Sequence, residues 1–479
     1  MKKTSGSKTS FGKKPTRDKT EKKSMYVDDG RPRLQQPRKE KIEQPLDNMR
    51  LGELTIERMG HDGRGIAYWN QKTCFVEGAL TGEKITARLV ANHPRYAEAR
   101  VDQIVEASVD RIPAECQHYA QCGGCQLQHA PATTQLAIKQ AAVFEQLERW
   151  ADAKPKKILD PIVSADYGYR RSARLAIDER GEDFLLGFRQ INSHQLVNID
   201  ECSVLVPSLS QLIKPLRMLL ANLSTKNAIS HVDLLSADKT FIVFRQMEPL
   251  NEKDYEQLRF FSKNQSCDVY LQPNKSPELI NLQQQKVDPR LFYSLEKYQL
   301  TIGFHPLDFI QVNADVNEKM VHQALSLLDL KPDETVLDLF CGIGNFTLPI
   351  AKQVKRVIGI EGQESMVLRG RENAQRLGLE NIEFMAADLE KLGLPRLRQV
   401  CGKLDAVLLD PPRDGAKQSV ALIAQLAPKR VVYVSCNPAT LARDAKELLA
   451  AGYQLTALGV IDMFPQTAHV ESMALFVRK

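Results

Sequence analysis

The sequence has no long hydrophobic run. Of its 479 residues 43% are hydrophobic, yet no stretch approaches the ~20 consecutive apolar residues that a membrane span needs. The N-terminus also lacks the apolar core of a secretory signal peptide. These absences predict a cytoplasmic protein with no membrane partner. The length predicts about three domains.

Cysteine is scarce and unevenly distributed. Four of the nine cysteines stand alone in the sequence and are expected to be small buried hydrophobic residues: Cys74, Cys267, Cys341 and Cys401. Three others fall within ten residues, as Cys116-x5-Cys122-x2-Cys125, around a Gly-Gly pair that allows a tight turn. Disulfides are not expected in the cytoplasm, so this cluster predicts a metal site.

The spacing of the cluster is compatible with two kinds of metal site. Thiolates so arranged hold one zinc ion or one iron–sulfur cluster, and spacing alone does not choose between them. Cys202 is the candidate for the fourth ligand, because it follows an acidic turn at Asp200-Glu201. A structural or RNA-facing role is expected in either case.

Positive charge is concentrated at the N-terminus. Residues 1–44 hold 14 Lys and Arg against 6 Asp and Glu, whereas the whole chain has a formal net charge of only +6. Few apolar residues and many Lys, Ser and Pro predict a disordered basic tail over residues 1–45. Such a tail is either simply solvated or collects near phosphates.

Residues 46–107 alternate apolar and polar positions in short runs separated by glycine. Short strands at even spacing predict a small β-barrel of the oligonucleotide-binding type. Aromatic and cationic residues there are candidates for stacking on bases and contacting phosphates: Trp69, His93, Arg95, Tyr96 and Arg100. The alternative is that these are scattered surface residues.

Residues 108–298 predict an α+β central domain that contains the cysteine cluster. A helical stripe runs from Pro131 to Trp150, and the sequence is then rich in strands. Rings and cations alternate in one stretch, which suits contact with unstacked RNA: Tyr167, Tyr169, Arg170, Arg171 and Arg174. A solvated strand face fits the same pattern.

Residues 299–479 centre on a strand, turn and helix. An apolar run closes with Asp338, and a loop containing Gly342 and Gly344 opens a helix at Thr347. In an open α/β sheet, ligands bind beyond the carboxyl ends of the strands. The next three apolar runs end in Glu361, Asp388 and Asp410, so carboxylates are expected along one sheet edge.

The glycine loop excludes one cofactor class and favours another. A dinucleotide-binding loop requires G-x-G-x-x-G, but Thr347 occupies the third position, so a dehydrogenase is set aside. S-adenosylmethionine (SAM) has no phosphates, and its ribose diol and adenine can donate hydrogen bonds to carboxylates. Glu361 stands 17 residues after Gly344, a spacing suited to a ribose-binding acid.

Two loops at the same predicted edge carry candidate chemistry. One is Asp410-Pro-Pro-Arg413 and the other contains Cys436, which is either a packing residue or a nucleophile. A thiolate is needed to methylate C5 of uracil, because C5 becomes nucleophilic only after addition at C6. A base must then remove the C5 proton, and the candidates are His469 and Glu471, the latter with a pKa that burial would raise.

These motifs resemble a known family. The segments FCGIGNF, DPPR, SCNP and MFPQTAHVES, with C-x5-C-x2-C, closely resemble the bacterial RNA uracil-C5 methyltransferases over nearly all of the chain after the tail. An N-terminal TRAM-type barrel together with the cysteine cluster is most similar to the branch that makes 5-methyluridine in 23S ribosomal RNA. The tRNA branch lacks the cluster, and the sister ribosomal branch lacks the barrel.

The resemblance implies roles for particular residues. Cys436 becomes the nucleophile and Glu471 the base, acting on a uridine flipped out of its stack in a monomeric, cytoplasmic enzyme. The cysteines become ligands of a [4Fe–4S] cluster rather than zinc: Cys116, Cys122, Cys125 and Cys202. The implied SAM contacts are Gln311, Phe340, Asn345, Glu361, Asp388 and Asp410. For Gln311, as for Asn313, the residues alone favour helix capping. The implied fold is a SAM-dependent sheet whose strand order reverses at the glycine loop.

The sequence leaves three alternatives open. In the first, the methylated uridine belongs to another site in ribosomal RNA or to tRNA. An amino-group methyltransferase would use Asp410-Pro-Pro to hold an exocyclic nitrogen and would need no thiol. A catalytically inactive RNA-binding assembly factor would retain the fold and bind SAM without forming product.

Overall fold

The structure, a computed structural model, describes residues 49–180, 183–274 and 276–479. The predicted basic tail at residues 1–45 lies outside these residues. Among the described helices, none combines the length and the hydropathy that crossing a bilayer requires.

The N-terminal sheet has six strands in the order β1-β5-β6-β4-β3-β2. Their bounds are β1 Arg50–Thr55, β2 Arg58–Met59, β3 Gly65–Trp69, β4 Lys72–Glu77, β5 Lys84–Asn92 and β6 Tyr96–Glu106. The predicted alternation is observed in β5, where Ile85, Ala87 and Leu89 point into the core. β1 also contacts β3, so the sheet curls around this core.

Two elements follow the cysteine-rich segment before the central sheet begins. They are helix α1, Ala132–Ala151, and the short strand β7, Lys157–Ile158. The predicted helix at Pro131–Trp150 therefore agrees with the structure to within one residue at each end.

The central domain is a mixed eight-stranded sheet with helices on it, in the order β10-β9-β8-β11-β12-β13-β14-β15. Its strands are β8 Ser172–Arg180, β9 Asp183–Arg189, β10 Leu196–Asn198, β11 Ile229–Ser236, β12 Thr240–Gln246, β13 Asp268–Pro273, β14 Leu279–Asn281 and β15 Lys286–Val287. Its helices are α2 Pro207–Ser210, α3 Ile213–Ala221 and α4 Glu252–Gln265. Strand and helix residues share one apolar core, as the α+β prediction requires.

The C-terminal domain begins with the hairpin β16 Leu291–Leu295 and β17 Leu300–Phe304 and the helix α5 Ala314–Leu328. Strands and helices then alternate: β18 Thr335–Leu339, α6 Thr347–Ala351, β19 Arg356–Glu361, α7 Glu364–Arg376, β20 Ile382–Ala386, α8 Leu394–Cys401, β21 Ala406–Leu409, α9 Lys417–Leu426, β22 Arg430–Ser435 and α10 Pro438–Ala450. The chain ends in β23 Tyr453–Ile461 and β24 Glu471–Arg478.

These strands form an eight-stranded sheet in the order β20-β19-β18-β21-β22-β24-β23-β7. β18 to β22 are parallel, and the order reverses between β18 and β21, where the glycine loop begins. Helices cover both faces, which explains why the strands are almost continuously apolar. Val336 packs into one layer and Leu337 and Leu339 into the other.

α1 and β7 pack as parts of the C-terminal domain. Val143 and Leu147 of α1 share an apolar core with Leu441 and Leu448 of α10, and β7 pairs with β23. The domain division expected from the sequence places both elements in residues 108–298. The domain boundaries at 45, 107 and 298 remain predictions.

A buried ion pair fixes α1 to the loop before β24. The Lys139 ammonium lies 2.6 Å from the Asp462 carboxylate, and both side chains are more than nine-tenths buried. Burial lowers the pKa of Lys139 and raises that of Asp462, so each charge depends on the other.

We expect Lys139→Met to leave the Asp462 carboxylate buried without its partner. Loss of one member of a buried pair costs roughly 3–5 kcal/mol, so the thermal unfolding midpoint should fall clearly. Lys154→Met is the matched control, because Lys154 pairs with Glu148 on the surface. Equal midpoints for the two variants would contradict this account.

Candidate active site

The glycine loop joins β18 to α6, and three alternate residues at its start have left-handed backbone. Phe340, Gly342 and Gly344 have φ of +62°, +55° and +97°. Glycine accepts this region freely, and at Gly344 a Cβ would also lie within 3.0 Å of the Leu348 and Phe384 side chains. Phe340 has no such freedom, and a non-glycine residue held there costs ~1–3 kcal/mol. Strain of this kind is typical of a ligand-binding turn.

Asp338 lies beneath this loop, near the end of β18. Its Oδ2 accepts a 2.5 Å hydrogen bond from the Thr347 hydroxyl. Within the described part of the chain its buried Oδ1 has no partner. Burial raises the pKa of Asp338 to about 8, and the nearby carboxyls of Asp410 and Glu361 add to the rise.

Glu361, at the end of β19, contacts the glycine loop directly. Its carboxylate accepts hydrogen bonds from the backbone N–H of Gly342 at 3.2 Å and of Gln363 at 2.9 Å. Each oxygen therefore keeps a second acceptor site. The predicted strand-end acid and the predicted turn thus lie side by side.

Asn345 lies at the end of the glycine loop, and Gln311 lies just before α5. Asn345 exchanges amide hydrogen bonds of 2.9 and 3.1 Å with Asn317 and accepts one of 2.9 Å from the Tyr293 hydroxyl. Asn313 caps α5 by accepting from Val316 N–H at 3.2 Å. The capping interpretation therefore holds for Asn313, whereas the buried Gln311 precedes the cap.

Asp388 is the exception among the strand-end acids. It follows β20 on the exposed surface and pairs with Lys391 at 2.7 Å. The hydrogen bond from Lys391 lowers the pKa of Asp388. The other candidate acids are buried or half-buried.

Cys436 and Glu471 meet through strand register. β22 and β24 are antiparallel and pair Ser435 with Ser472. Cys436 follows Ser435 and Glu471 precedes Ser472, so both residues lie at the same end of this strand pair. Cys436 is half-buried, and Glu471 is only 7% exposed. The two candidates from distant motifs are therefore neighbours.

Asp410 acts electrostatically on both of these groups. Burial raises the pKa of Glu471 to about 8, with a further contribution from Asp410. Burial also raises the pKa of the Cys436 thiol to about 11, and Glu471 and Asp410 add to it. Asp410 itself is raised to about 7 by burial. A thiol and two carboxyls thus share one desolvated site.

The loops that carry Asp410 and Cys436 are tied together. Asn437 caps α10, accepting from Ala439 N–H at 3.1 Å, and donates its amide to the Arg413 carbonyl at 3.0 Å. The Thr440 hydroxyl donates to the same carbonyl at 3.4 Å. The motif residues around the thiol therefore form one hydrogen-bonded unit.

His469, the other candidate base, lies in a different environment. It is exposed and contacts the Phe464 ring edge-on, with centroids 5.9 Å apart. The burial that was expected to raise a carboxyl pKa is found at Glu471.

Two of the residues interpreted as RNA contacts are buried instead. Tyr169 is 7% and Arg171 6% exposed, so that interpretation is wrong for them. The Arg171 guanidinium stacks 4.7 Å from the centre of the Tyr293 ring and donates to the Gln311 carbonyl at 2.9 Å. Its contact with Tyr293 links the central domain to Asn345, a link that no local sequence pattern signals.

The clustered cysteines share one neighbourhood. Burial raises the pKa of Cys125 to about 12, and the thiols of Cys202, Cys122 and Cys116 raise it further. Cys122 also forms a β-bridge with Gln190 of the central domain. Within the described ranges, no group of three His, Cys, Asp or Glu side chains meets the geometry of a single metal ion. The four isolated cysteines are buried, as predicted.

Residues 132–479 match the family described as tRNA (Uracil-5-)-methyltransferase, and residues 52–101 match the TRAM domain. The chain belongs to this methyltransferase family. Its C-terminal sheet is accordingly a methyltransferase fold, and its N-terminal sheet is a TRAM domain.

Individual relatives agree with this assignment. The 23S rRNA (uracil(1939)-C(5))-methyltransferase RlmD of Alkalilimnicola ehrlichii is 44% identical over 89% of this chain and 96% of its own. The protein of the same name from Pseudomonas fluorescens is 46% identical over 88% and 91%. The crystal structure of Pyrococcus abyssi tRNA (uracil-54, C5)-methyltransferase, in complex with S-adenosyl-L-homocysteine, has the same fold, with a TM-score of 0.67, 24% identity and coverage of 90% and 100%.

We expect the raised pKa of Glu471 to appear in the pH dependence of stability. Between about 4.5, its ordinary pKa, and about 8, its pKa here, the folded protein keeps a proton that the unfolded chain releases. Stability therefore falls as pH rises through this window, by up to about 1.4 kcal/mol per unit for each such group.

The test is urea unfolding of wild type and Glu471→Gln from pH 5 to pH 8. The variant should lose less stability across this range, because its amide does not titrate. Glu364→Gln, at the exposed start of α7, is the control and should keep the wild-type slope. A Glu471→Gln slope equal to wild type would show that Glu471 is not held protonated.

Proposed function

We propose that the protein transfers a methyl group from SAM to C5 of a uridine in 23S ribosomal RNA, forming 5-methyluridine. The observation that carries this proposal is that Cys436, just after the end of β22, and Glu471, at the start of the paired strand β24, lie close enough to each other and to Asp410 for both carboxyls to raise the thiol pKa. A thiol beside a buried carboxyl is the pair that pyrimidine C5 methylation needs, since one group must add to C6 and another must remove the C5 proton.

The choice of RNA rests on the relatives. Proteins that match nearly the whole of this chain are named for 23S rRNA and for uracil 1939. The other candidate substrates, another ribosomal uridine or a tRNA uridine, have the weaker support of a tRNA-directed structural relative that is 24% identical. An amino-group methyltransferase would leave the thiol without a role.

The SAM site we propose surrounds the glycine loop. Its contacts are Gln311, Phe340, Asn345, Glu361, Asp388 and Asp410. Glu361 suits the ribose diol because both of its oxygens retain acceptor capacity after contacting backbone N–H groups. The buried Asp338 and the half-buried Asp410 form no ion pair with a cationic side chain of the described residues, and burial raises the pKa of both, which favours a cationic ligand nearby. When bound, SAM supplies an electrophilic methyl group on a sulfonium.

The chain's residues then act in two steps. The Cys436 thiol loses its proton to water, and its sulfur forms a bond to C6 of the uracil while the C5–C6 π electrons move toward O4 as an enolate. After C5 has gained the methyl group, the Glu471 carboxylate takes the C5 proton. The electrons of the C5–H bond restore the C5–C6 double bond, and the C6–S bond breaks to release the Cys436 thiolate.

The raised pKa values fit these roles. A base with a pKa of about 8 works close to neutral pH, where it both accepts and releases a proton. The Cys436 thiol, with a pKa of about 11, stays protonated in the free protein, so it is protected from stray reactions. A positive charge close to Asp410 would lower the pKa values of the thiol and the carboxyls alike.

We also propose that Cys116, Cys122, Cys125 and Cys202 hold a [4Fe–4S] cluster. Support comes from the mutual electrostatic influence of these thiols and from their half-buried positions. A [4Fe–4S] cluster is held by four cysteine thiolates, which is the number of cysteines that influence one another here. The cluster would stabilise the junction between the central domain and residues 116–126, here called the cysteine segment.

RNA capture is assigned to the TRAM domain and the central domain. In the former, Arg95 is exposed, and His93 stacks on Tyr96 with ring centroids 4.2 Å apart. Such aromatic and cationic groups suit single-stranded RNA. We further propose that the protein acts as a monomer in the cytoplasm.

We expect Cys436→Ala to abolish methyl transfer to 23S ribosomal RNA while SAM still binds, because the thiol contacts the base and not the cofactor. Incorporation of labelled methyl groups and equilibrium SAM binding measure the two effects. Cys401→Ala is the matched control, since Cys401 is a buried packing residue of the same domain. Turnover by Cys436→Ala close to wild type would refute the mechanism, and SAM binding by wild type without product would indicate an assembly factor.

The cluster proposal predicts a brown protein when purification excludes air. Its visible absorbance should bleach with dithionite, and iron analysis should give about four irons per chain. Cys202→Ala should reduce the iron content, whereas Cys267→Ala, at a buried isolated cysteine, should not. Stoichiometric zinc without iron would exclude the cluster.

A further inference from the structure

The segment Asp462–Val470, here called the base segment, ends immediately before Glu471. It is held by residues from distant parts of the chain. Lys139 of α1 contacts Asp462 and the Phe464 carbonyl, and the Tyr169 hydroxyl donates to the Pro465 carbonyl at 2.9 Å. The position of Glu471 thus depends on more than its own strand.

Gln466 is the centre of these contacts. It is 3% exposed and has a backbone φ of +70°, a conformation that residues other than glycine rarely adopt. Its side chain accepts from the Gln135 amide at 2.9 Å, and its N–H donates to the Gln135 carbonyl oxygen Oε1 at 2.9 Å. Its own carbonyl accepts from the N–H groups of Gln126 and Leu127, both at 3.0 Å. The surroundings therefore impose the left-handed conformation.

Gln126 connects the base segment to the cysteine segment. It follows Cys125 directly, and its Oε1 accepts from Ala468 N–H at 3.4 Å while its Nε2 donates to the Gly123 carbonyl at 2.8 Å. Gly123 N–H in turn donates to the Arg189 carbonyl of the central domain at 3.0 Å. A continuous chain of hydrogen bonds therefore runs from the central domain through the cysteine segment to the base segment.

The Glu471 side chain has little of its own to orient it. Its Oε2 is buried and has no hydrogen-bond partner among the described residues. The carboxyl is consequently aimed by the backbone that leads into β24, and Ala468 lies three residues before it. A shift of the base segment would move the carboxyl relative to Cys436.

We propose that Gln126 and Gln466 are positioning residues for proton removal by Glu471. This inference rests on the proposed function. It gives the cysteine segment a part in the chemistry, because the segment fixes the base segment through Gln126. Proton removal follows covalent addition, so a misplaced Glu471 slows release of the RNA more than it slows attack by Cys436.

The test is to measure turnover, SAM binding and covalent protein–RNA complex for Gln126→Ala and Gln466→Ala with unmodified 23S ribosomal RNA. We expect kcat to fall by between about 10- and 100-fold, the range for a small misplacement of a catalytic group. SAM affinity should stay near wild type. The covalent complex, seen on denaturing gels, should accumulate, as it should in Glu471→Gln.

Gln121→Ala is the matched control, because Gln121 lies in the same cysteine segment with an exposed side chain. It should behave as wild type in all three measurements. Turnover within about twofold of wild type for both test variants would overturn the proposal. So would a parallel loss of turnover and covalent complex, which indicates a general structural defect. Failure of wild type to form any complex with 5-fluorouridine RNA would instead refute the proposed function.

Discussion

The antiparallel pairing of β22 with β24 is the constraint on which the rest of the site depends. Parallel strands bring only their carboxyl ends to the ligand edge of a sheet. Because β24 runs the other way, it brings its first residue, Glu471, to the edge where β22 ends and Cys436 begins. Two motifs from different parts of the chain thereby become one thiol–carboxyl pair. A slip of one residue would turn Glu471 to the other face of the sheet.

The electrostatics of this edge are unfavourable for the protein alone. Asp338, Asp410 and Glu471 are carboxyls whose pKa values burial raises to about 8, 7 and 8. Proteins retain such groups where function needs them, since burial of a charge without a partner costs stability. A site that concentrates carboxyls is complementary to a positively charged ligand, and the sulfonium of SAM has that charge.

Local patterns predicted the elements of the C-terminal domain well. The helix expected to open at Thr347 begins there, and the apolar runs that close with or end in acids are strands β18 to β21. These predictions succeed because periodicity and glycine act within a few residues. The order reversal at the glycine loop and the family followed from the resemblance, and both are confirmed. The residue roles and the cluster ligands stay predictions.

The contacts that unite the domains were not predictable in the same way. Gln135 and Gln466 are separated by 331 residues, and Lys139 and Asp462 by 323. Nothing in the local sequence around a glutamine or lysine on a helix signals such a partner. Arg171 illustrates the opposite error, because a cation among aromatic residues suggested RNA contact, whereas it packs on Tyr293 in the interior. Long-range burial decides these cases, and it becomes visible only in the fold.

In the proposed mechanism, the sulfur of Cys436 bonds to C6 of the target uracil. Mass spectrometry of the peptide crosslinked to 5-fluorouridine-substituted 23S ribosomal RNA in the presence of SAM tests it most directly, because fluorine at C5 blocks proton removal and traps the intermediate. We predict one crosslinked peptide, containing Cys436 and carrying a methylated fluorouridine. A crosslink at another residue, or methylation of ordinary 23S ribosomal RNA without any trapped adduct, would contradict the account.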